Sequence, residues 1–340
     1  MVANNHPNSG LRPVIGQITH PGLMRAANED AFGWFSVPAG ELLVVADGIG
    51  GNAGGAEAAQ ATVAAFHKYV KIASEEPGTL LRQAVRAADQ AVSQIGLINP
   101  ELAGLGSTIV ALLIQAGEAF YIHVGDSRLY HLSSGRLLQL TRDHTYVRDL
   151  VEAGQITETE AASHEDRNII TQSLGGNVNE VRLTVGRATY RPGDIFLLCT
   201  DGLWGPAPEA AIWKTLTGAG SPQVLAKKLI ALALNAGGPD NVTVQLAAFP
   251  SRTSRTTQAL PRSGAGERPR RRLLAVVFIL GLLGGAVGAY AWPHWSAWFS
   301  QPIEEAPAPA DPAPAETPPE SPAESSDPIP VTPPQRPGEL

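Results

Sequence analysis

Residues 44–51 read Val44-Val45-Ala46-Asp47-Gly48-Ile49-Gly50-Gly51. An apolar run ends in a carboxylate, and a glycine-rich turn follows at once. A short apolar run bounded by turn residues reads as a buried strand, which leaves Asp47 at its mouth. Alone, the stretch is a strand end with a turn, because Asp-Gly is common turn chemistry. Its meaning depends on what stands at the mouths of the other strands.

Short β-like runs recur at 41–46, 108–114, 119–124, 129–132, 136–140, 183–188, 194–200 and 242–249. Hairpin-sized connections such as Gln115-Ala116-Gly117-Glu118 and Ser133-Ser134-Gly135 join some of them, so antiparallel pairing is expected. Helical periodicity covers about 55–76 and 79–95, and again about 209–217 and 221–235, where Ser221-Pro222 is a start signal. Strands in runs with helices in pairs predict an α+β fold, a sheet sandwich carrying helices on its outer faces, rather than a doubly wound parallel sheet.

Asp47 has counterparts. Asp201 follows DIFLLCT, Asp126 follows FYIHVG, Asp240 follows Gly237-Gly238-Pro239, and Asn28-Glu29-Asp30 ends a polar turn. Strand ends on one edge of a sandwich can converge, and clustered carboxylates are costly unless a cation is bound. Oxygen-only donors point to a hard cation, Mg²⁺ or Mn²⁺, rather than Zn²⁺. His123 reads as a packed strand histidine. Cys199, the only cysteine, reads as a buried strand thiol and excludes an intramolecular disulfide.

The ordered set Arg25-x-x-Asn28-Glu29-Asp30, Val45-Ala46-Asp47-Gly48-Ile49-Gly50-Gly51, Gly106-Ser107-Thr108, His123-Val124-Gly125-Asp126-Ser127-Arg128, Cys199-Thr200-Asp201-Gly202-Leu203 and Gly238-Pro239-Asp240-Asn241-Val242-Thr243 resembles the metal-dependent serine/threonine protein phosphatases of the PPM (type 2C) family, the bacterial members above all. The resemblance runs from about 14 to 249. It implies an antiparallel β-sandwich flanked by pairs of helices in α-β-β-α layers, forming a monomeric catalytic domain. It implies hydrolysis of phosphoserine and phosphothreonine on proteins by a metal-activated water. Two tightly bound Mn²⁺ or Mg²⁺ ions, with a third held more weakly, are the cofactors so implied. Asp47 would bridge the pair, with the Gly48 carbonyl, Asp201 and Asp240 as further ligands and Glu29 acting through water. Asp126 matches the acid of the third metal, and Arg25 would grip the substrate phosphate with its planar fork. Asp30, Asn241 and Arg128 match supporting positions, although Arg128 also suits a surface arginine closing a turn. Two metals roughly 3.5–4 Å apart can activate a water and stabilise in-line displacement at phosphorus, so no protein nucleophile is needed. Residues 141–175 resemble the mobile flap of bacterial members, and the charge there, with His144, His164 and Arg167, predicts an exposed insert. One departure stands out. Ile49 occupies the place where some members, mainly eukaryotic, carry a histidine that protonates the leaving group; bacterial relatives often have an apolar residue there. A catalytically silent phosphoprotein-binding or sensory module on the same fold is the reading of a different class.

Outside this zone the chain changes character. Residues 1–12 read as a flexible lead without an apolar signal segment, and 250–272 as a basic linker. Leu273 to Trp292 is a run of 20 residues without a charge, the length that crosses a hydrocarbon core of roughly 30 Å. Arg262, Arg268, Arg270, Arg271 and Arg272 precede it, so the positive-inside rule puts the catalytic domain in the cytoplasm. The expected location is the bacterial inner membrane, single-pass, with 293–340 as a disordered Pro/Ala/acidic tail outside the cytoplasm. Residues 301–340 hold eight acidic residues and one basic one. That accounts for the whole chain's net charge of −7 and leaves 1–300 neutral in sum. No basic field suggests nucleic acid as a partner; the expected partners are phosphorylated Ser/Thr proteins and a cognate kinase.

Overall fold

The structure is a computed structural model and describes residues 11–50, 54–115, 117–176 and 181–251. Gly51, most of the N-terminal lead, the linker from 252, the apolar run 273–292 and the tail 293–340 lie outside the described residues. Among the described residues no helix is long and apolar enough to cross a membrane.

Along the chain run β1 (Val14–His20), β2 (Asp30–Val37), β3 (Gly40–Ile49), α1 (Gly54–Ile72) and α2 (Pro77–Ile98). The short β4 (Gly106–Ser107), then β5 (Ile109–Ile114), β6 (Glu118–Val124), β7 (Arg128–Ser133) and β8 (Arg136–Gln139) follow. Helices α3 (Tyr146–Glu152) and α4 (Glu158–Ser163) precede β9 (Thr184–Thr189) and β10 (Ile195–Cys199). The described chain ends with α5 (Asp201–Trp204), α6 (Glu209–Leu216), α7 (Pro222–Asn235) and β11 (Val242–Ala248). The strands form two antiparallel sheets, ordered β1-β11-β10-β7-β8 and β2-β3-β5-β6-β9, with β4 paired to the end of β3.

The layering follows from the two-residue period of a strand. In β3, Leu42, Val44 and Ala46 pack with Phe66, Leu81 and Val85 of the α1–α2 pair. Leu43 and Val45 point the other way, into the seam between the sheets, with Phe196, Leu198 and Ala247. β10 and β11 repeat the scheme: Leu197, Val244 and Leu246 meet α6 and α7, while Phe196, Leu198 and Ala247 fill the seam. Strands buried on both faces explain why β3, β5 and β10 read as continuous apolar runs instead of alternating ones. The result is the expected α-β-β-α sandwich. Each fully buried Leu, Val or Phe in it contributes about 1.5–3 kcal/mol of transfer free energy.

β1 and β2 were not among the expected strands. Both are edge strands, one in each sheet, and most of their residues are only partly buried. Gly16 and Gly33 interrupt their apolar pattern where the backbone needs room. A methyl group on Gly16 would lie 2.2 Å from the Pro222 carbonyl carbon of α7. Next to it, Gln223 accepts from the Gln17 amide and donates to the Gln17 carbonyl, each at 3.0 Å, so α7 is clamped onto β1. Gly16→Ala should therefore destabilise the fold by about 1–3 kcal/mol through overpacking. Urea unfolding should show a lower midpoint with an unchanged m-value; an unchanged midpoint would contradict the clamp.

Candidate metal centre

Strand parity decides what lies at the end of the seam. Asp47 continues the series Leu43, Val45, and Asp30 is its direct antiparallel partner on β2. Both acids therefore stand where the seam opens. Asp30 accepts from the hydroxyls of Thr200 (2.9 Å) and Thr243 (2.6 Å), which belong to the opposite sheet. The Thr243 amide donates to Thr200 Oγ1 at 3.0 Å, and Thr243 and Thr19 hydroxyls lie 2.7 Å apart. Asp30 is thus the polar bolt between the two sheets.

Asp47 is held through its backbone. Its amide donates to Thr108 Oγ1 and its carbonyl accepts from the Thr108 amide, each at 2.9 Å. Thr108 Oγ1 is also 2.8 Å from Ser127 Oγ, which ties this strand end to the turn carrying Asp126. Gly48 must be glycine: a methyl there would lie 2.0 Å from the Gly55 carbonyl oxygen and 2.7 Å from that of Glu29. Asp201 opens α5 directly after the seam residue Thr200. Asp240 stands two residues before β11 and accepts from Arg25 Nη2 at 2.8 Å. Asn241 organises the loop opposite. Its amide group donates to the carbonyls of Pro21 (2.9 Å) and Ala27 (2.8 Å), and its oxygen accepts from the Glu29 amide at 2.7 Å.

The acids sense one another strongly. Burial, then Asp30, Asp201, Asp126 and Asp240, push the Asp47 carboxyl well above the usual carboxylate range. Burial first and Asp240 second raise Asp201 to about 6, against the pull of its contact with Asp47 and the Arg25 charge. Burial takes Asp30 to about 7 although both threonine hydroxyls oppose it. Asp126 is also raised well above its ordinary value, by burial, Asp201 and Asp143, with Arg128 working against them.

The predicted residues Arg25, Glu29, Asp47, Gly48, Asp201 and Asp240 all meet at this end of the seam, and Asp126 adjoins them. Among the described residues no three of these side chains close on one point as a finished cage. The fit to a cation rests on the donor set. Asp30 Oδ1, Asp126 Oδ1 and Asp201 Oδ1 are buried without a hydrogen-bond partner. Buried unpartnered carboxylate oxygens are expensive, and a hard divalent cation with all-oxygen ligation relieves that cost. These residues fit Mn²⁺ or Mg²⁺.

The support around Asp126 was only partly foreseen. Arg128 is no surface arginine. Its Nε and Nη2 fork onto Asp143, its Nη1 donates to Tyr130, and its guanidinium lies 3.6 Å over the Trp204 ring. Trp204 Nε1 in turn donates to the Asp126 carbonyl at 3.1 Å. His123 is a packed core histidine, buried and 4.5 Å from the His144 ring. Its two ring nitrogens have no partner within hydrogen-bonding geometry. Burial lowers it to about 4, and the nearby Arg142 and Gly125 backbone only moderates this. The expectation that His144 marks an exposed insert is corrected: it is 7 % exposed, and its Nδ1 accepts from the Gly125 amide. Burial also makes it hard to protonate, lowering it to about 3. Residues 141–175 fold as α3 and α4, rooted by the Thr145–Ile170 and Ser107–Leu174 bridges. A cleft of about 290 Å³ separates them from Arg128 and Trp204. Thr200, Thr243, Asp143 and Trp204 were missed as functional supports. Thr200 and Thr243 could have been found by parity, as polar residues on seam-facing positions.

Residues 25–235 match the family model described as Protein phosphatase 2C. This chain belongs to that family. It is 43 % identical over 233 residues to the serine/threonine protein phosphatase PstP of Mycobacterium tuberculosis, covering 66 % of this chain. The chain spans only 43 % of that relative's length. A putative protein phosphatase 2C-type of Streptococcus pyogenes is 35 % identical, with 67 % of this chain and 94 % of the relative covered. Among solved structures, the PstP catalytic domain in complex with two manganese ions superposes with a TM-score of 0.63 at 37 % identity, over 71 % of this chain and all of that one.

Cation binding should be visible in stability. A ligand that binds only the folded state at about a hundred times its Kd adds about 2.7 kcal/mol, or roughly 5–10 °C in a domain of this size. Mn²⁺ should raise the melting temperature of the chelator-treated protein by that amount. Asp201→Asn should raise the metal-free melting temperature, by removing one repelling charge, and at least halve the Mn²⁺ response. An equal Mn²⁺ response in wild type and variant would remove Asp201 from the centre.

Proposed function

We propose that this chain is a phosphoserine/phosphothreonine protein phosphatase, and that a cation held by Asp47, Asp201 and Asp240 activates the attacking water. The observation that carries this reading is the convergence of acids from five separate chain segments, three of them (Asp30, Asp126 and Asp201) with a buried unpartnered oxygen, beside one half-exposed arginine. Mn²⁺ or Mg²⁺ bound there supplies Lewis acidity for water activation and charge neutralisation. The chain's own residues do the rest. Burial works against the Arg25 charge, but Asp240, Glu29 and Asp201 outweigh it and hold the proton more firmly than usual. With one nitrogen on Asp240, the guanidinium keeps further donors for two phosphate oxygens. Asp30 and the threonines keep the two sheet ends in register, and Thr108 and Asn241 fix the backbones that carry Asp47 and Glu29. The arrangement needs no nucleophilic side chain. Cys199, buried at the helix face of its strand, has its thiol pushed up out of the reactive range by burial. The names and the manganese-bound structure of the relatives support the same chemistry.

The compact unit Met1–Gln258 should release phosphate from a phosphothreonine peptide only with Mn²⁺ or Mg²⁺, and Asp201→Asn should lower kcat at least a hundredfold. No turnover with either metal would leave a binding module as the better reading.

We further propose that residues 273–292 anchor the enzyme in the membrane with the phosphatase unit on the cytoplasmic face, opposing a Ser/Thr kinase there. The uncharged run and the arginines before it support this. The single natural cysteine is buried, which gives labelling a clean background. A cysteine introduced at Ser321 should react with an impermeant maleimide on intact cells or spheroplasts, whereas one at Ser254 should react only after lysis. The reverse pattern would invert the orientation.

A further inference from the structure

The loop that carries Arg25 also carries two large apolar side chains in water. Leu23 is 64 % exposed and Met24 is 75 % exposed. The backbone beneath them is not free to fold them away. The Leu23 amide donates to the Gly238 carbonyl at 2.8 Å, and Asn241 holds the carbonyls of Pro21 and Ala27 on either side. Gly22 sits at φ +80°, with the Asp240 carbonyl oxygen 2.2 Å from where a side chain would begin. A rigid segment that keeps a pair of apolar side chains exposed is unlike a floppy loop, where exposure means little. Other exposed apolar residues, such as Ile72, Leu97 and Ile98, end the helices α1 and α2.

We propose that Leu23 and Met24 form an apolar lip that receives a hydrophobic side chain of the phosphoprotein within two residues of the phosphorylated Ser or Thr. This rests on the phosphatase reading, with the phosphate at Arg25. Neighbouring Cα atoms are 3.8 Å apart, and an extended peptide advances about 3.3 Å per residue. Leu23 and Met24 directly precede Arg25 on the pinned loop, so they lie within one or two residue steps of a phosphoresidue gripped there. Charge favours the same occupant. Asp240 and Glu29 flank Arg25, so an acidic side chain beside the phosphate meets repulsion that an apolar one does not. The lip acts on substrate choice and touches none of the reacting atoms.

The test uses the full-length chain with Mn²⁺ and phosphothreonine peptides of equal length whose flanking residues are Leu, Ser or Glu. The wild-type chain should favour the Leu-flanked over the Ser-flanked peptide about fivefold to tenfold in kcat/KM, mainly through KM, with the Glu-flanked peptide poorest. That size follows from burying part of one apolar side chain. Met24→Ser should bring the Leu-to-Ser ratio to about 1–2, and Met24→Leu should keep it. The Met24 variants carry the test because Leu23 also lies over Gly238, its Cγ 3.0 Å from where a side chain there would begin, and its replacement disturbs packing. Turnover of all peptides without preference, or a preference that survives Met24→Ser, overturns the lip and leaves the phosphatase reading standing. A wild-type dimer that Met24→Ser dissociates, with the ratio unchanged, assigns the patch to a second copy and also overturns it. No turnover of any peptide by the wild-type chain overturns both readings together.

Discussion

Like charges gathered at low dielectric are the constraint around which this structure is arranged. Asp30, Asp47, Asp126, Asp201 and Asp240 come from five chain segments and meet where the seam between two sheets opens. Burial and the neighbouring charges hold Asp30, Asp47, Asp126 and Asp201 above the ordinary carboxylate range. Three devices keep the fold in place against that repulsion. Threonine hydroxyls from the opposite sheet solvate Asp30. Arginines stand at two sides, Arg25 on Asp240 and Arg128 near Asp126. The third is a cation, for which the remaining oxygens are suited.

The same constraint explains why so much of the supporting structure is backbone-directed. A carboxylate that must face other carboxylates cannot also anchor its own strand. Asp47 is therefore positioned by Thr108 through its amide and carbonyl, which leaves its side chain to face Asp201 and the other acids. Asn241 does the corresponding work for Glu29 and Arg25 by holding the loop's carbonyls and amide. On the Asp126 side, Arg128 is kept away from the centre by Asp143, Tyr130 and Trp204, so that it moderates the field without occupying the site.

What could be read from the residues follows from where each is buried. β3, β5, β10 and β11 were legible because both faces are covered, which concentrates apolar residues into short runs. β1 and β2 were not, because an edge strand half in water spreads its apolar residues thinly, and glycines stand where α7 or Phe35 comes close. Asp47, Asp126 and Asp201 were legible because each closes an apolar run, and Asp30 and Asp240 because each stands just before one. The threonines could be found only by setting the parity of β10 and β11 against those acids, because a Thr by itself is as common in an ordinary strand as in a carboxylate clamp. His144 was misread because charge density along 141–175 describes the outer surface of that segment; at its root Thr141, Asp143, His144 and Thr145 are buried, with His144 bonded to the Gly125 turn.

The economy of the centre also bears on whether it is a working site or a relic of one. Replacing a buried, repelling carboxylate with Asn or an apolar residue of similar volume is commonly neutral or stabilising. A module that only held a phosphoprotein would lose nothing by such replacements at Asp47, Asp126 or Asp201, and its phosphate would be better served by fewer anions. This chain keeps all of them, and Asp126 and Asp201 each hold a buried carboxylate oxygen without a hydrogen-bond partner. The only groove-facing cation on the substrate side, among the described residues of the loop 21–29, is Arg25, and it is bonded to one of the acids rather than isolated from them. An anion drawn to that guanidinium is thereby brought against carboxylates that repel it. That geometry is unfavourable for simple binding, and it becomes favourable when a divalent cation stands between phosphate and acids. Ile49 fits the same logic: an apolar side chain at the strand's last residue contributes no charge to a centre that the cation must balance.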